Sequence, residues 1–434
     1  MDFVEKAEKT LAAYSTTRDL CSAVVSNEYN PGLAYFTRSL VWKLTLITEY
    51  FKSKPHLPSS MKVDYSVLAQ TRDTYRKYNE KYPVPWSLLQ QNDDFYQDQD
   101  IVVDPLSGTD DLAKLQILVT DCKRLFPSYP NLFIKDKENS RNIITSLFIW
   151  WKLNDDVNDT SSGYRQGMHE IFGLIMISLI KEQLPKGKPE QFYKKHPVAQ
   201  LYNPTFTHVD SFTIFNNMMY KLAPAFFQED NFIQESIKFD ILFHNCDRYH
   251  HQYLTKTLKI DSSIWLIRYY RLLLIRELGL SATVLTWDKI FAFSYLHKTK
   301  DSNHIEFAFL IPYIVVLLIT KLKPQTLASE YDQVLYMLLH YPIKQRNNNE
   351  NKDDHYHFKP VVVDINQLVT DAITLSNTVD NAEAFSRLSK KVIERYSELK
   401  LDGSKPNNSI MSSDFLKNRL ELRLNKKVKQ LMEK

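Results

Sequence analysis

Eight glycines in 434 residues set the tightest limit on how this chain folds. Proteins average roughly 7% glycine, and here the share is about 2%. Hairpin turns need residues at positive φ, which glycine adopts without steric cost, so a hairpin-rich all-β fold is disfavoured. The glycines are also scattered. No stretch reads G-x-G-x-x-G or G-x-x-x-x-G-K, which argues against a dinucleotide-binding crossover and against a phosphate loop. Long helices are the economical alternative, and 44% hydrophobic residues supply ample core.

Charge narrows the partners. Fifty-five basic and 51 acidic residues leave +4, and the pI near 8.6 lies below that of a dedicated nucleic-acid module. The aromatics are not interleaved with basic runs, as a base-stacking surface requires. Cys21, Cys122 and Cys246 lie far apart, without metal or redox spacing, and their odd number suits a reducing compartment. The acidic start, Met1-Asp2-Phe3-Val4-Glu5, carries no signal-peptide pattern. The longest uncharged apolar run, Phe307 to Thr320, contains Pro312 and is shorter than the about 20 residues of a bilayer span. These features together read as a soluble, cytosolic chain with a buried helix there.

Periodicity gives the organisation. Leu40, Leu44 and Ile47 mark a helix within 33–51. Residues 83–110, with Asp93, Asp94, Asp98, Asp100 and Asp104, read as a polar connector; they lack the glycine of a calcium loop. Helices are expected at 111–125, after an N-cap at Asn139-Ser140, and from near Gln166 to Ile180. More follow at 209–224, 229–257, 263–278, 282–296, 303–321 and 325–341. Residues 347–357 form a polar run, followed by helices near 378–400 and 413–433. The last is basic and amphipathic, and reads as a packing or coiled-coil helix, with a membrane-surface or partner-binding helix as the alternative. No period of 30 to 45 residues recurs, which weakens a solenoid.

His244, Asp247 and His251 share one helix face beside His250. Without cysteine or H-E-x-x-H they read as helix-surface polar residues, not a zinc site. Cys122 reads as a small core residue. Two other stretches carry more. In Leu118-Val119-Thr120-Asp121-Cys122-Lys123-Arg124, an aspartate one turn before an arginine at a helix end can hold the guanidinium in a chosen orientation. Tyr164-Arg165-Gln166-Gly167-Met168 follows a polar loop, and its glutamine–glycine pair can present a carboxamide to a docked surface. Taken singly, the first also reads as an ordinary surface ion pair and the second is a weak signal.

Together, in this order and about 40 residues apart, the two stretches resemble the I-x-x-D-x-x-R and Y-x-Q-G-M motifs of the TBC-domain family of Rab GTPase-activating proteins. Arg38 and Trp42 fit the R-x-x-x-W that opens that domain. Residues Arg268 to Glu277 resemble R-W-x-R-L-L-F-x-R-E, and Trp287-Asp288 matches the W-D pair after it. The resemblance spans residues 31 to 343. Asp104-Pro105-Leu106-Ser107, His169-Glu170 and Tyr341-Pro342 favour a fungal Golgi–endosome subgroup with an animal endosomal relative. Leu118, Tyr269 and Leu274 depart from the pattern as apolar or aromatic replacements at packing positions.

The resemblance implies an all-α fold, a V-shaped TBC domain of two helical lobes. It implies a division into residues 1–30 as an N-terminal helical extension, 31–343 as the TBC domain, 344–359 as a polar loop and 360–434 as a C-terminal helical extension. It implies an activator of GTP hydrolysis by a membrane-bound Rab-type small GTPase, peripherally associated with Golgi or endosomal membranes. GTP and Mg²⁺ would be carried by the GTPase, with no cofactor, metal or nucleotide site in this chain. Arg124 would be the arginine finger and Gln166 the glutamine finger. Asp121, Tyr164, Gly167 and Met168 would support them. Arg268, Arg271 and Arg276 would be buried structural or docking residues, with Glu277 or Asp288 as partners. A catalytically silent Rab-binding scaffold of the same fold is the alternative.

Overall fold

The computed structural model describes residues 3–28, 37–48, 63–86, 110–127, 129–133, 135–155, 163–297, 307–343 and 358–397. Among these residues every regular element is helical, and a single parallel bridge joins Ile343 to Val361. The first half comprises α1 (Phe3–Ala13), α2 (Thr17–Val25), α3 (Arg38–Lys43, continued by a π-helical turn Leu44–Thr48) and α4 (Tyr65–Lys81). It continues with α5 (Asp110–Lys123), α6 (Pro130–Phe133), α7 (Lys137–Leu153), α8 (Met168–Ile180), α9 (Glu190–Lys195) and α10 (Thr207–Leu222). The second half runs through α11 (Glu229–Cys246), α12 (Arg248–Gln252), α13 (Ser262–Arg271) and α14 (Ile275–Leu296). Then come α15 (Ile311–Ala328), α16 (Tyr331–Leu339), α17 (Ile365–Ser376) and α18 (Ala382–Tyr396).

Two helices that are apolar nearly all round organise the packing, as expected of helices buried on every side. Every residue of α8 from Met168 to Leu179 is buried, with α3, α5, α7 and α10 against it. In the second half α15 is buried from Tyr313 through Thr320, and α11, α16, α17 and α18 pack on it. Helix α14 touches α2, α3 and α8 from the first half and α13 and α17 from the second, which ties the halves together. By length and composition α15 could cross a membrane, but 67% of it is buried inside the protein. Pro312 sits in its first turn, where a missing N–H is no loss.

Helix ends differ from the sequence expectations where side chains outside the apolar period decide them. Asp136, not Asn139 or Ser140, caps α7 by accepting from the Asn139 amide at 3.1 Å. Ser140 is buried and donates to the Phe133 carbonyl. The segment 229–257 is not one helix: it breaks at Asp247, whose side chain caps α12 through the His250 amide. Likewise 263–278 breaks after Arg271, because Leu273 (φ 47°) and Leu274 (φ 70°) are left-handed. The helix expected from Gln166 starts at Met168. Glu330 and Gln333 form a capping box that separates α15 from α16. The aspartates of the connector, the polar run 347–357 and the expected helix 413–433 lie outside the described residues.

Candidate functional site

Both motif stretches fall at the ends of elements that α8 holds together. Arg124 follows the last turn of α5, and its side chain is 68% exposed. Gln166 is exposed in the turn that enters α8. Gly173, midway along α8, lets the chain leaving α5 come close. A β-carbon there would lie 2.8 Å from Leu125 Cδ2 and 3.1 Å from Phe126 Cε2. Gly167, at φ 104°, occupies backbone that side-chain-bearing residues rarely adopt, and a β-carbon on it would meet Leu272 Cδ2 at 3.0 Å. The arginine loop is thus packed on α8, and the glutamine loop on the α13–α14 turn.

Below the two exposed side chains lies a buried polar chain. The Tyr164 hydroxyl donates to Asp121 Oδ2 at 2.7 Å, and His169 Nδ1 lies 2.8 Å from the same hydroxyl. Asp121, Tyr164 and His169 are all buried. Arg124 Nη2 is 3.9 Å from Asp121 Oδ1, an ion pair too long for a hydrogen bond, while its Nε reaches the Thr120 carbonyl at 3.5 Å. The guanidinium is therefore oriented but not consumed by internal bonds. Burial, with the negative charge of Asp121, pushes the Tyr164 phenol far above its ordinary range, so it stays a donor. Burial lowers the His169 pKa against the pull of Asp121 and Glu170, which keeps the imidazole neutral near pH 7. Met168, at 0% exposure, is a core residue whose sulfur accepts from the Arg165 amide at 3.3 Å.

The arginines expected to be structural separate into three environments. Arg268 Nε is 3.2 Å from Glu277 Oε1, but neither this nitrogen nor the Glu277 carboxylate oxygens make an aligned hydrogen bond. Desolvation outweighs this attraction and raises the Glu277 pKa to about 7. Arg271 donates from Nε to the Phe226 carbonyl at 3.0 Å and lies over the rings of Phe227 and Phe232. Arg276 is not buried: its side chain is 49% exposed, and it pairs with Glu170 at 2.8 Å. Asp288 serves none of the three. It accepts from the Trp42 indole at 2.8 Å and from Arg38 Nε at 3.0 Å, so the opening R-x-x-x-W and the later W-D pair form one buried cluster. Burial raises the Asp288 pKa to about 7, against the pull of Arg38 and Trp42.

The remaining departures and candidates also have definite places. Leu118, Tyr269 and Leu274 are each fully buried, and the Tyr269 hydroxyl donates to the Leu338 carbonyl at 2.8 Å. Of the histidine cluster, Asp247 and His250 are buried instead of lying on the helix surface. Asp247 pairs with Lys323 at 2.6 Å and His250 Nε2 lies 2.8 Å from the Thr326 hydroxyl. No group of side chains suited to a metal occurs among the described residues. Cys122 is buried, and desolvation raises its thiol pKa, which removes it as a nucleophile. In sequence, His169 and Glu170 stand only as subgroup landmarks. Two polar residues heading the otherwise apolar α8 were the signal that they face something specific.

The fold is thus all-helical, with Arg124 and Gln166 exposed at the ends of elements joined by the Asp121–Tyr164 bond. The sequence model of the Rab-GTPase-TBC domain matches residues 36–327, and the chain belongs to that family. TBC1 domain family member 5 of Mus musculus is 25% identical over 257 residues, which are 51% of this chain and 28% of that protein. The Homo sapiens protein of the same name is 25% identical over 256 residues, 51% of this chain and 29% of its own length. The chain therefore spans under a third of the length of these relatives. The crystal structure of the Ypt/Rab-GAP domain of Gyp1p superposes with a TM-score of 0.56 at 15% identity. That match covers 87% of this chain and 99% of the solved one, and shows the shared all-α fold.

Proposed function

We propose that this chain accelerates GTP hydrolysis by a membrane-bound, GTP-loaded Rab-type small GTPase, and so regulates vesicle traffic. The observation that carries the reading is the Tyr164–Asp121 hydrogen bond, 2.7 Å long, which ties the loop of exposed Gln166 to the helix end of exposed Arg124. Arg124 acts as the arginine finger, stabilising charge on the transferring phosphoryl oxygens, an effect worth about 10³–10⁵ in kcat. A planar fork does this better than a point charge. Gln166 holds the attacking water in place of the GTPase's own switch glutamine. Asp121 and Tyr164 aim the fingers, while Gly167 lets the switch region approach. GTP and Mg²⁺ belong to the partner.

The subgroup landmarks Asp104-Pro105-Leu106-Ser107, His169-Glu170 and Tyr341-Pro342 are the ground for placing this action in the cytoplasm at Golgi or endosomal membranes, with peripheral recruitment. The test is single-turnover hydrolysis across a panel of purified GTP-loaded Rabs. Stimulation of at least one Rab, lost in Arg124→Ala, is the expected result. Binding to a GTP-loaded Rab with no stimulation of any would instead identify a silent scaffold. Turnover of GTP by the isolated chain would reject the reading.

A further inference from the structure

The buried chain beneath the fingers carries a proton-counting constraint that fixes its direction. The Tyr164 oxygen has two short neighbours: Asp121 Oδ2 at 2.7 Å and His169 Nδ1 at 2.8 Å. A phenol has one proton and a carboxylate has none. If His169 carries its proton on Nε2, Nδ1 is an acceptor. Tyr164 then has two acceptors for one proton, and one short contact is lone pair against lone pair. If the proton is on Nδ1, both contacts are satisfied in sequence: His169 Nδ1–H donates to Tyr164, and Tyr164 O–H donates to Asp121. One weaker contact opposes this: the Gly167 amide points its N–H at Nδ1 from 3.4 Å, at the far limit of a hydrogen bond, and the Nδ1–H tautomer gives that long bond up to satisfy the two short ones.

We infer that His169 is a positioning residue, held as the Nδ1–H tautomer, which sets the direction of the Tyr164 hydroxyl and so couples the glutamine loop to Asp121 and Arg124. The inference rests on the proposed activity only for its kinetic consequence. His169 lies in the first turn of α8, three residues after Gln166, while Asp121 lies one turn before Arg124. A relay with its ends on these two elements holds both loops in one register. The charged groups facing His169 are Asp121 from α5, Glu170 beside it on α8, Arg276 from α14 and Arg124 beyond the end of α5. Two of each sign surround it, so neutral imidazole is retained by burial without a net field forcing either state.

The first test reads the tautomer directly in the full chain labelled with ¹⁵N-histidine, using His169→Asn to assign the signal. A proton on Nδ1 is expected; a proton on Nε2 overturns the relay whether or not any Rab responds. The second test reads turnover on a responsive Rab. His169→Leu removes the donor and should lower kcat roughly 10- to 100-fold, the scale of a misplaced catalytic group, with KM for GTP-loaded Rab changed less than about twofold. His169→Asn places an amide N–H near the position of Nδ1 and should restore most of kcat. The double variant Tyr164→Phe/His169→Leu should be no slower than Tyr164→Phe alone, since both act through one chain. Additive losses, or unaltered kcat in a folded His169→Leu protein, would overturn the positioning role. Should His169→Leu fail to fold, His169→Asp serves: it supplies only acceptors at that place and must lose kcat where Asn keeps it. If wild-type protein stimulates no Rab, the activator reading fails while the tautomer measurement still decides the relay.

Discussion

Leu125 fills the space in front of Gly173: its Cδ2 lies 2.8 Å from where a β-carbon on that glycine would sit. The chain leaving α5 is therefore seated against α8 before any polar contact is made, and the Asp121–Tyr164 bond adds direction to a placement that packing has already set. Gly173→Ala should displace Leu125 and the adjacent arginine loop. The expected cost is about 1–3 kcal/mol of stability, as for other overpacked cores, together with a loss of stimulation larger than the lost folded fraction. Denaturant melts and single-turnover rates on the same preparation separate the two effects.

Arg124 is exposed and makes no short internal bond, so its substitution should leave the fold intact. Arg124→Ala should cost about 4–7 kcal/mol of transition-state stabilisation, the energy of a 10³–10⁵ change in rate. Arg124→Lys should recover little, because an ammonium cannot make two parallel, fixed hydrogen bonds. Affinity for GTP-loaded Rab should change little in either variant, since the benefit is concentrated in the transition state. Equal melting temperatures with a collapsed kcat would confirm the assignment. A matched loss of binding would instead make Arg124 a docking residue.

Gln166 is tested by removing its counterpart. With the GTPase's own switch glutamine changed to alanine, stimulation by the wild-type chain should largely persist, because water positioning is then supplied in trans. Gln166→Ala should abolish stimulation of both forms of the Rab. A wild-type chain that fails on the altered Rab, with Gln166→Ala harmless on the normal one, would leave Arg124 as a lone finger.

Glu277 makes stability depend on pH in a direction opposite to that of a paired carboxylate. Its pKa is about 7 in the folded chain against an ordinary 4.5, chiefly through burial. Between those values the folded state binds more protons than the unfolded one, so stability declines as pH rises through this window and levels off above it. A shift of that size corresponds to about 3 kcal/mol. Glu277→Gln should therefore gain on the wild type by up to about that amount between pH 4.5 and 8. The difference between the two proteins cancels the opposite titration of buried His250, whose pKa is lowered to about 3. Urea unfolding across the pH range provides the measurement.

Ending the chain at Ile343 should separate stability from chemistry. Leu368, Val369, Leu375, Phe385, Val392 and Ile393 of α17 and α18 are buried, and the two helices pack on α11, α14 and α15. Their removal exposes that apolar surface and should lower the melting temperature by many degrees. The finger loops belong to α5 and α8, so the fraction that stays folded at low temperature should keep its stimulation. A folded truncation without any activity would place a needed group in the C-terminal helices.

The helical class followed from composition and period: few glycines deny the chain its hairpins, spacing of three to four residues marks the buried face of α7, and a nearly unbroken apolar run marks α8. The exposed positions of Arg124 and Gln166 were also foreshadowed locally, since each lies where an apolar period stops. What the period could not give was the partner of each buried polar residue, because pairing depends on which helices meet. Asp288 lies on the same helix as Arg276, yet it bonds Trp42, 246 residues away, across the contact of α14 with α3. Arg276 looked like a buried tie and is half exposed against Glu170. The breaks at Asp247 and at Leu273–Leu274 interrupt no apolar pattern; they are imposed by a cap and by left-handed backbone held by bonds from Trp287 and Thr283. His169 shows the division most clearly. Its place at the head of α8 was written in the sequence, but the order of protons along His169, Tyr164 and Asp121 has meaning only once folding has brought two side chains, one from α5 and one from α8, within 3 Å of the Tyr164 oxygen.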